Sequence, residues 1–223
     1  MGQELKQWTA EELPANIPIF PLTGVLLLPG GRLPFNIFEQ RYLEMTEDAM
    51  SSHRVIGMIQ PTDPTCRHFE PQVYDIGCAG QITEFKETED NRVLITLTGL
   101  CRFDVIRELP HGALNYRRVN ARYQSFESDL IRDNGMALDR DKLIGALKKN
   151  FESRGMNADW SAIEELCNED LMTRLVMACP FRPSEKQALL ECRETEQRST
   201  MFQALLEMAA HERGGMKGAD APQ

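Results

Sequence analysis

Val93-Leu94-Ile95-Thr96-Leu97-Thr98-Gly99-Leu100-Cys101-Arg102-Phe103-Asp104-Val105 is the most regular stretch of the chain. Every odd position holds Val, Ile, Leu, Gly, Cys or Phe, which is the period of a strand with one buried face. Gly99 interrupts the apolar row and predicts a bend or bulge in a long strand. In that phase Cys101 points inward, and Arg102 and Asp104 point outward. Ile76, Cys78 and Ile82 share one face of a preceding strand; Val119, Ala121 and Tyr123 do the same on a following one. Polar Thr88-Glu89-Asp90-Asn91 and Pro110-His111-Gly112 supply the connections, so residues 73–125 read as a β-meander. The meander predicts half of a small curled antiparallel sheet or barrel.

Working outward, residues 1–16 are polar and read as a flexible leader. Ile17-Pro18-Ile19-Phe20-Pro21-Leu22 is a short extended run whose prolines cannot donate ladder hydrogen bonds, which predicts an edge or a strand end. Pro29-Gly30-Gly31 signals a turn before a second strand over 33–38. Phe38, Tyr42, Met45 and Ala49 recur at helical spacing and predict an amphipathic helix over 39–51. Residues 55–59 return to strand, and 61–71 form a loop. The β domain therefore spans 17–126. Glu127-Ser128-Asp129 and Asp133-Asn134-Gly135 read as a polar linker to an α-helical subdomain over 136–213. There Leu143, Leu147 and Phe151 mark one helix and Leu171, Leu175 and Val176 another. Ser184-Glu185-Lys186-Gln187 after Pro183 reads as a capping box. On the last helix Phe202, Leu205, Leu206 and Ala209 share a face, Gly214-Gly215 ends it, and 214–223 read as a frayed tail. The class is α+β.

A net charge of −9 over 223 residues argues against broad binding to a polyanion. The first residues lack a basic segment followed by an apolar one, and Val25-Leu26-Leu27-Leu28 is far too short to span a bilayer. The expected setting is cytoplasmic, with no membrane partner. Six cysteines with no Cys-x-x-Cys spacing read as thiols in a reducing compartment.

The motifs that would carry enzyme chemistry are missing from the sequence: no phosphate-binding Gly-x-x-x-x-Gly-Lys-Ser/Thr, no Gly-x-Gly-x-x-Gly and no Gly-x-Ser-x-Gly elbow. A thiol nucleophile needs a base beside it, and Cys66 with His68 in the loop is the one pair with that proximity. Cys78 and Cys101 fall among Ile, Leu and Phe and read as buried small hydrophobes. His53, Cys66, His68 and Cys78 are enough ligands for tetrahedral zinc, but their spacing fits no zinc pattern. Glu164-Glu165 and Glu169-Asp170 flank expected helix starts, where the helix dipole favours them. We therefore expect no enzyme, no metal and no cofactor.

Two binding surfaces remain as candidates. Leu26, Leu27 and Leu28, with Met45 nearby in the fold, would form a sticky patch for peptides if exposed; the alternative is that they pack in the core. Met50 and Met58 would extend it. Arg102, Arg118 and Arg122 would form a basic sheet face for RNA; the alternative is a solvated face balanced by Asp104. Stacking aromatics are not interleaved there, and nucleic acid is the weaker expectation.

The run from Ile17 to Leu22, followed by Leu33-Pro34-Phe35-Asn36-Ile37-Phe38-Glu39-Gln40-Arg41-Tyr42, resembles the opening of the Lon protease N-terminal domain. The similarity continues through Tyr74-Asp75-Ile76-Gly77-Cys78-Ala79-Gly80-Gln81-Ile82 and through Gly99-Leu100-Cys101-Arg102-Phe103. It reaches Pro183-Ser184-Glu185-Lys186-Gln187-Ala188-Leu189-Leu190-Glu191 and Arg198, covering about residues 17–210. The resemblance implies a PUA-like β-barrel with an α-helical C-terminal part. It also implies a non-catalytic module that recruits protein or unfolded-peptide substrates, as an adaptor in a proteolytic setting. Binding of RNA by a PUA-like module is the alternative.

Overall fold

β1 (Asn16–Pro21), β2 (Arg32–Ile37), β3 (Val55–Ile59), β4 (Ile76–Glu87), β5 (Val93–Leu109) and β6 (Arg118–Arg122) form one mixed sheet in the computed structural model. The structure describes residues 8–66, 68, 70–131, 139–153 and 160–216. α1 (Gln40–Met50) lies between β2 and β3 in sequence. After a 3-10 helix over Gln124–Leu130 come α2 (Arg140–Ser153), α3 (Trp160–Glu164), α4 (Asn168–Ala178), α5 (Pro183–Glu191) and α6 (Thr195–Met216). The fold is α+β, as its two kinds of periodicity indicate.

The strand order is β2-β5-β4-β3-β1-β6, and β6 also pairs with β5. The pairings β5–β4–β3–β1–β6–β5 therefore run in a closed circuit, and β2 stands outside it on β5 alone. The meander β4–β5–β6 is antiparallel as expected. The sheet as a whole is not: β1 pairs β3 in parallel, through the long crossover that β2 and α1 provide. Nor is β1 an edge. Its first half pairs β6 and its second half β3, and Pro21 closes the strand.

The bulge expected at Gly99 is present and has a larger effect than a bend. Ala79 faces Cys101 while Gly80 faces Gly99, so Leu100 has no opposite residue. Before the bulge, Ile95 and Leu97 enter the core shared with the helices; after it, Cys101 and Phe103 enter a second core inside the strand circuit. One odd-numbered row thus feeds two cores. Gly99 itself is required, because a Cβ there would lie 2.0 Å from the Leu28 carbonyl oxygen.

The helical layer covers the other face of the sheet with Leu143 and Leu147 of α2, Leu171 and Val176 of α4, Leu189 of α5 and Phe202 of α6. Phe151 lies on α2, but its side chain is outside the described residues. Several local expectations are corrected. Residues 8–16 are not loose: Leu13 is buried, Trp8 Nε1 donates to Gln81 Oε1 at 3.4 Å, and the Tyr123 hydroxyl donates to the Pro14 carbonyl at 2.9 Å. Glu127-Ser128-Asp129 is 3-10 helix rather than linker. α5 starts at Pro183, with Glu185 accepting from the Arg182 amide at 2.8 Å, because proline's fixed φ suits the first helical position. Glu164 ends α3 instead of starting a helix, whereas Glu169 and Asp170 do occupy the first turn of α4. α6 runs through Gly214-Gly215 to Met216. Residues 1–7, 132–138 and 217–223, which carry parts of the expected leader, linker and tail, lie outside the described residues.

Candidate functional site

Leu26, Leu27, Leu28 and Met45 are buried, at most 2% exposed, and belong to the core beneath the helices. The sticky patch expected of them is therefore not presented. The loop that carries the leucines tucks under the sheet: a Cβ on Gly80 would meet Leu27 Cδ2 at 2.7 Å. Met50 is half-buried and Met58 buried against the same core.

The basic face also dissolves. Arg122 stays exposed and pairs with Asp104 at 3.3 Å, as its balanced charge suggested. Arg118, on the same strand, is half-buried with no hydrogen-bond partner for Nε among the described residues. Arg102, expected outward, is 2% exposed. The helical layer covers the face that the sequence pattern left open to water. Arg102 makes two bonds to the Asp129 carboxylate, at 2.8 and 2.7 Å, and its guanidinium stacks 4.5 Å from the Phe126 ring centre. It also donates to the carbonyls of Leu190, Cys192 and Arg193. Those carbonyls lie at and beyond the C-terminal end of α5, where a cation is favoured. Arg198 adds bonds to Leu189 and Cys192. This cluster joins sheet to helices, and its outer edge lines a separate depression of about 440 Å³ together with Ser128, Glu169 and Glu194.

The thiols follow their burial. Cys78 and Cys101 are buried, and burial pushes both thiols well above their ordinary range. Cys66 is exposed as expected; His68 Nδ1 accepts from the Glu70 amide at 3.2 Å. Among the described residues, no three His, Cys, Asp or Glu side chains converge as a metal-binding group.

The open surface lies elsewhere, between β2 and α4. A groove of about 600 Å³ is lined by Gly30 to Pro34 on one side and by Asp170, Thr173, Arg174, Met177 and Ala178 on the other, with Glu84 and Thr96 also lining it. Gly31 makes this approach possible, since a Cβ there would lie 2.2 Å from Met177 Sδ. A shallow apolar depression of about 550 Å³ continues it past Phe35, Phe85 and Leu94, sharing Pro34, Glu84 and Thr96. Phe85 and Leu94 are each 39% exposed, and Phe38 beyond the end of β2 is 65% exposed. Together they form one trough along β2.

Charge in the trough is mixed. Arg32 pairs with Glu84 at 2.6 Å, and Thr96 Oγ1 donates to the other oxygen of Glu84 at 2.6 Å. The Thr96 hydroxyl, then Arg32, hold the Glu84 carboxyl below its ordinary range. Asp170 and Arg174 stand one turn apart on α4 with no side-chain partner among the described residues. Nothing in this trough resembles a nucleophile, base and orienting group in sequence. Its chemistry is that of a binding surface: apolar contact, a few charges and a strand edge.

The model of the ATP-dependent protease La (LON) substrate-binding domain family matches residues 16–208. The chain belongs to this family. The Lon protease of Anaeromyxobacter dehalogenans is 24% identical over 200 residues, covering 88% of this chain and 23% of that protein. Lon protease 2 of Myxococcus xanthus is 24% identical, with 88% and 24% covered. The chain thus spans about a quarter of the length of these curated relatives. Among solved structures, the Lon N-terminal domain protein from Xanthomonas campestris superposes with a TM-score of 0.56 at 20% identity, covering 86% of this chain and 97% of the other. The N-terminal domain of the Mycobacterium avium complex Lon protease gives 0.56 at 14% identity, covering 88% and 98%. These superpositions establish a Lon N-terminal domain fold. None of the described helices of this Lon domain is long and apolar enough to cross a membrane.

The sequence reading missed the trough residues Arg32, Glu84, Arg174 and Met177. No local pattern joins β2 to a helix more than 130 positions away. Pro34 was the available signal, since proline inside a strand marks an edge.

Proposed function

We propose that this Lon substrate-binding domain is a non-catalytic recognition module that holds unfolded polypeptide in the β2–α4 trough. The protein it would serve is a proteolytic system, and the setting is cytoplasmic. The observation that carries this reading is the trough itself: a continuous open surface of apolar and mixed-charge residues on a domain whose family is named for substrate binding. The closed strand circuit supports describing the β domain as a small PUA-like barrel, with the helices of 136–213 as a subdomain laid against it. An RNA-binding reading loses support with Arg102, which the Asp129 contact takes out of any basic face.

The test uses reduced, carboxymethylated α-lactalbumin, a permanently unfolded protein, labelled for fluorescence anisotropy. Saturable binding of this probe but not of native α-lactalbumin is expected, and Met177→Asp, which puts a carboxylate into the apolar wall, should weaken it at least tenfold. Equal binding of native and unfolded forms, or no binding of either, rejects the reading.

A further inference from the structure

We propose that the polypeptide enters the trough as an added β-strand on the free edge of β2, so that the domain grips main chain and not side-chain sequence. This rests on the substrate-recognition reading above and specifies how that site works. Its basis is the hydrogen-bonding phase of β2.

Among the described residues β2 pairs with β5 only, so one of its edges has no neighbouring strand there. The Gly99 amide donates to the Gly31 carbonyl at 2.8 Å, so that carbonyl points at β5, while the Gly31 amide turns back to the Leu28 carbonyl at 2.9 Å. Strand backbone groups alternate sides, so Leu33, Phe35 and Ile37 in step with Gly31 point theirs at β5. Arg32, Pro34 and Asn36 point theirs away. Two facts check this phase. Pro34 has no N–H to give, so it can only occupy an outward-pointing position without costing the ladder a bond. Opposite it, the Thr96 carbonyl accepts from Thr83 on β4 at 3.2 Å, and so faces away from β2.

Among the described residues, nothing bonds to the outward backbone groups of Arg32, Pro34 or Asn36. The free edge therefore offers donors at Arg32 and Asn36 and acceptors at all three. An extended polypeptide is the ligand whose own backbone carries the complementary pattern at the same spacing. The groove touches β2 at five consecutive residues, Gly30 to Pro34, and reaches across the sheet to Thr96 of β5 and Glu84 of β4. α4 walls the far side with Met177 for an apolar guest residue and with Asp170 and Arg174 for charged ones. Six residues of β2 span about 20 Å, matching a guest of about six residues.

Pro34 also sets the strength of the grip. It removes one of three possible donors, a device by which exposed edges avoid permanent pairing. The guest is held by few bonds and released readily, which suits a module that passes its cargo on.

Hydrogen exchange of the isotope-labelled protein, with and without saturating carboxymethylated α-lactalbumin, reads the edge directly. The Arg32 and Asn36 amides should exchange at least tenfold more slowly with the probe bound, while those of Leu33 and Phe35 stay as they were. Asn36→Pro, which deletes an outward donor and leaves the β5 ladder intact, should weaken probe binding about tenfold. Asn36→Ala, which keeps the amide, should weaken it less than threefold. Pro34→Ala supplies the missing donor and should tighten binding about fivefold, the value of one net hydrogen bond. If wild type binds the probe with no change at Arg32 and Asn36, strand addition is wrong and substrate recognition stands. If wild type does not bind, both fail. Protection that rises with protein concentration alone identifies a second copy as the occupant and overturns the proposal. Circular dichroism checks that the variants fold, and the exchange measurement on wild type decides the matter without them.

Discussion

Two arginines of the same sheet pair with carboxylates at nearly the same separation and in opposite surroundings. Arg102 and Asp129 meet at 2.7 Å with their side chains 2% and 8% exposed; Arg32 and Glu84 meet at 2.6 Å at 59% and 62%. Distance does not distinguish them, but water does. At the first pair the domain is sealed, with every arm of the guanidinium committed to the joint between β5, the 3-10 helix and α5. At the second it is open, and the same chemistry serves as a solvated rim beside a free strand edge. The two arginines differ in what covers them.

The sharpest way to break this contrast is Asp129→Ala. It leaves the Arg102 charge buried without its counter-ion, which typically costs about 3–5 kcal/mol. Urea denaturation should show this as a large fall in midpoint, and a midpoint near wild type would mean the joint is not sealed.

Alkaline pH probes the same side more gently. Burial, and secondly the Asp129 carboxylate, raise the Cys78 thiol; burial likewise raises Cys101. An acid raised in the folded state contributes stability that is complete below its unfolded value, near 9.0 here, and is lost as pH climbs past it. Stability should fall by about 1 kcal/mol per thiol for each pH unit above 9. Arg198, pushed down to about 10 by its burial and by Arg102, acts in the opposite sense above pH 10, because the folded state then sheds its proton first. Lys186, whose ammonium burial pushes below its ordinary range, opposes the thiols in the same way, so the thiol contribution is read by difference: replacing Cys78 with Ala should flatten the slope between pH 8.5 and 10.

The smallest effect belongs to the open pair. Arg32→Ala should leave the denaturation midpoint unchanged within error, because exposed ion pairs contribute little and are screened by salt. A marked loss would mean that the rim is structural after all.

Much of the β domain was legible in the sequence. The alternation of β5, the bulge at Gly99, the helix over α1 and the β4–β5–β6 meander all follow from local rules. Arg102 was misplaced for a specific reason. Alternation identifies a face but not what lies on it, and an odd–even reading assumes one wet side. Here the helices cover one face and the strand circuit encloses the other, so a charged residue on an even position could be as buried as Phe103. β1 was misjudged because its prolines fit an edge, and a strand that changes partner halfway can accommodate them inside a sheet. The trough was invisible because it is made by tertiary approach: Gly31 beside Met177 has no signature in either segment alone.

The closed circuit carries a consequence for synthesis. β1 meets β6 through Ile17 and Val119, and the Asn16 and Asn120 side chains bond at 3.0 Å across 104 residues of chain. A polypeptide emerging from the ribosome can form the β4–β5 hairpin as soon as those strands appear. It cannot close the ring until Arg122 has followed, and pairings so distant in sequence are slow to form. Until then Ile17 and Ile19 wait in water, so an unfinished chain of this domain is itself the kind of extended apolar segment that it is proposed to hold.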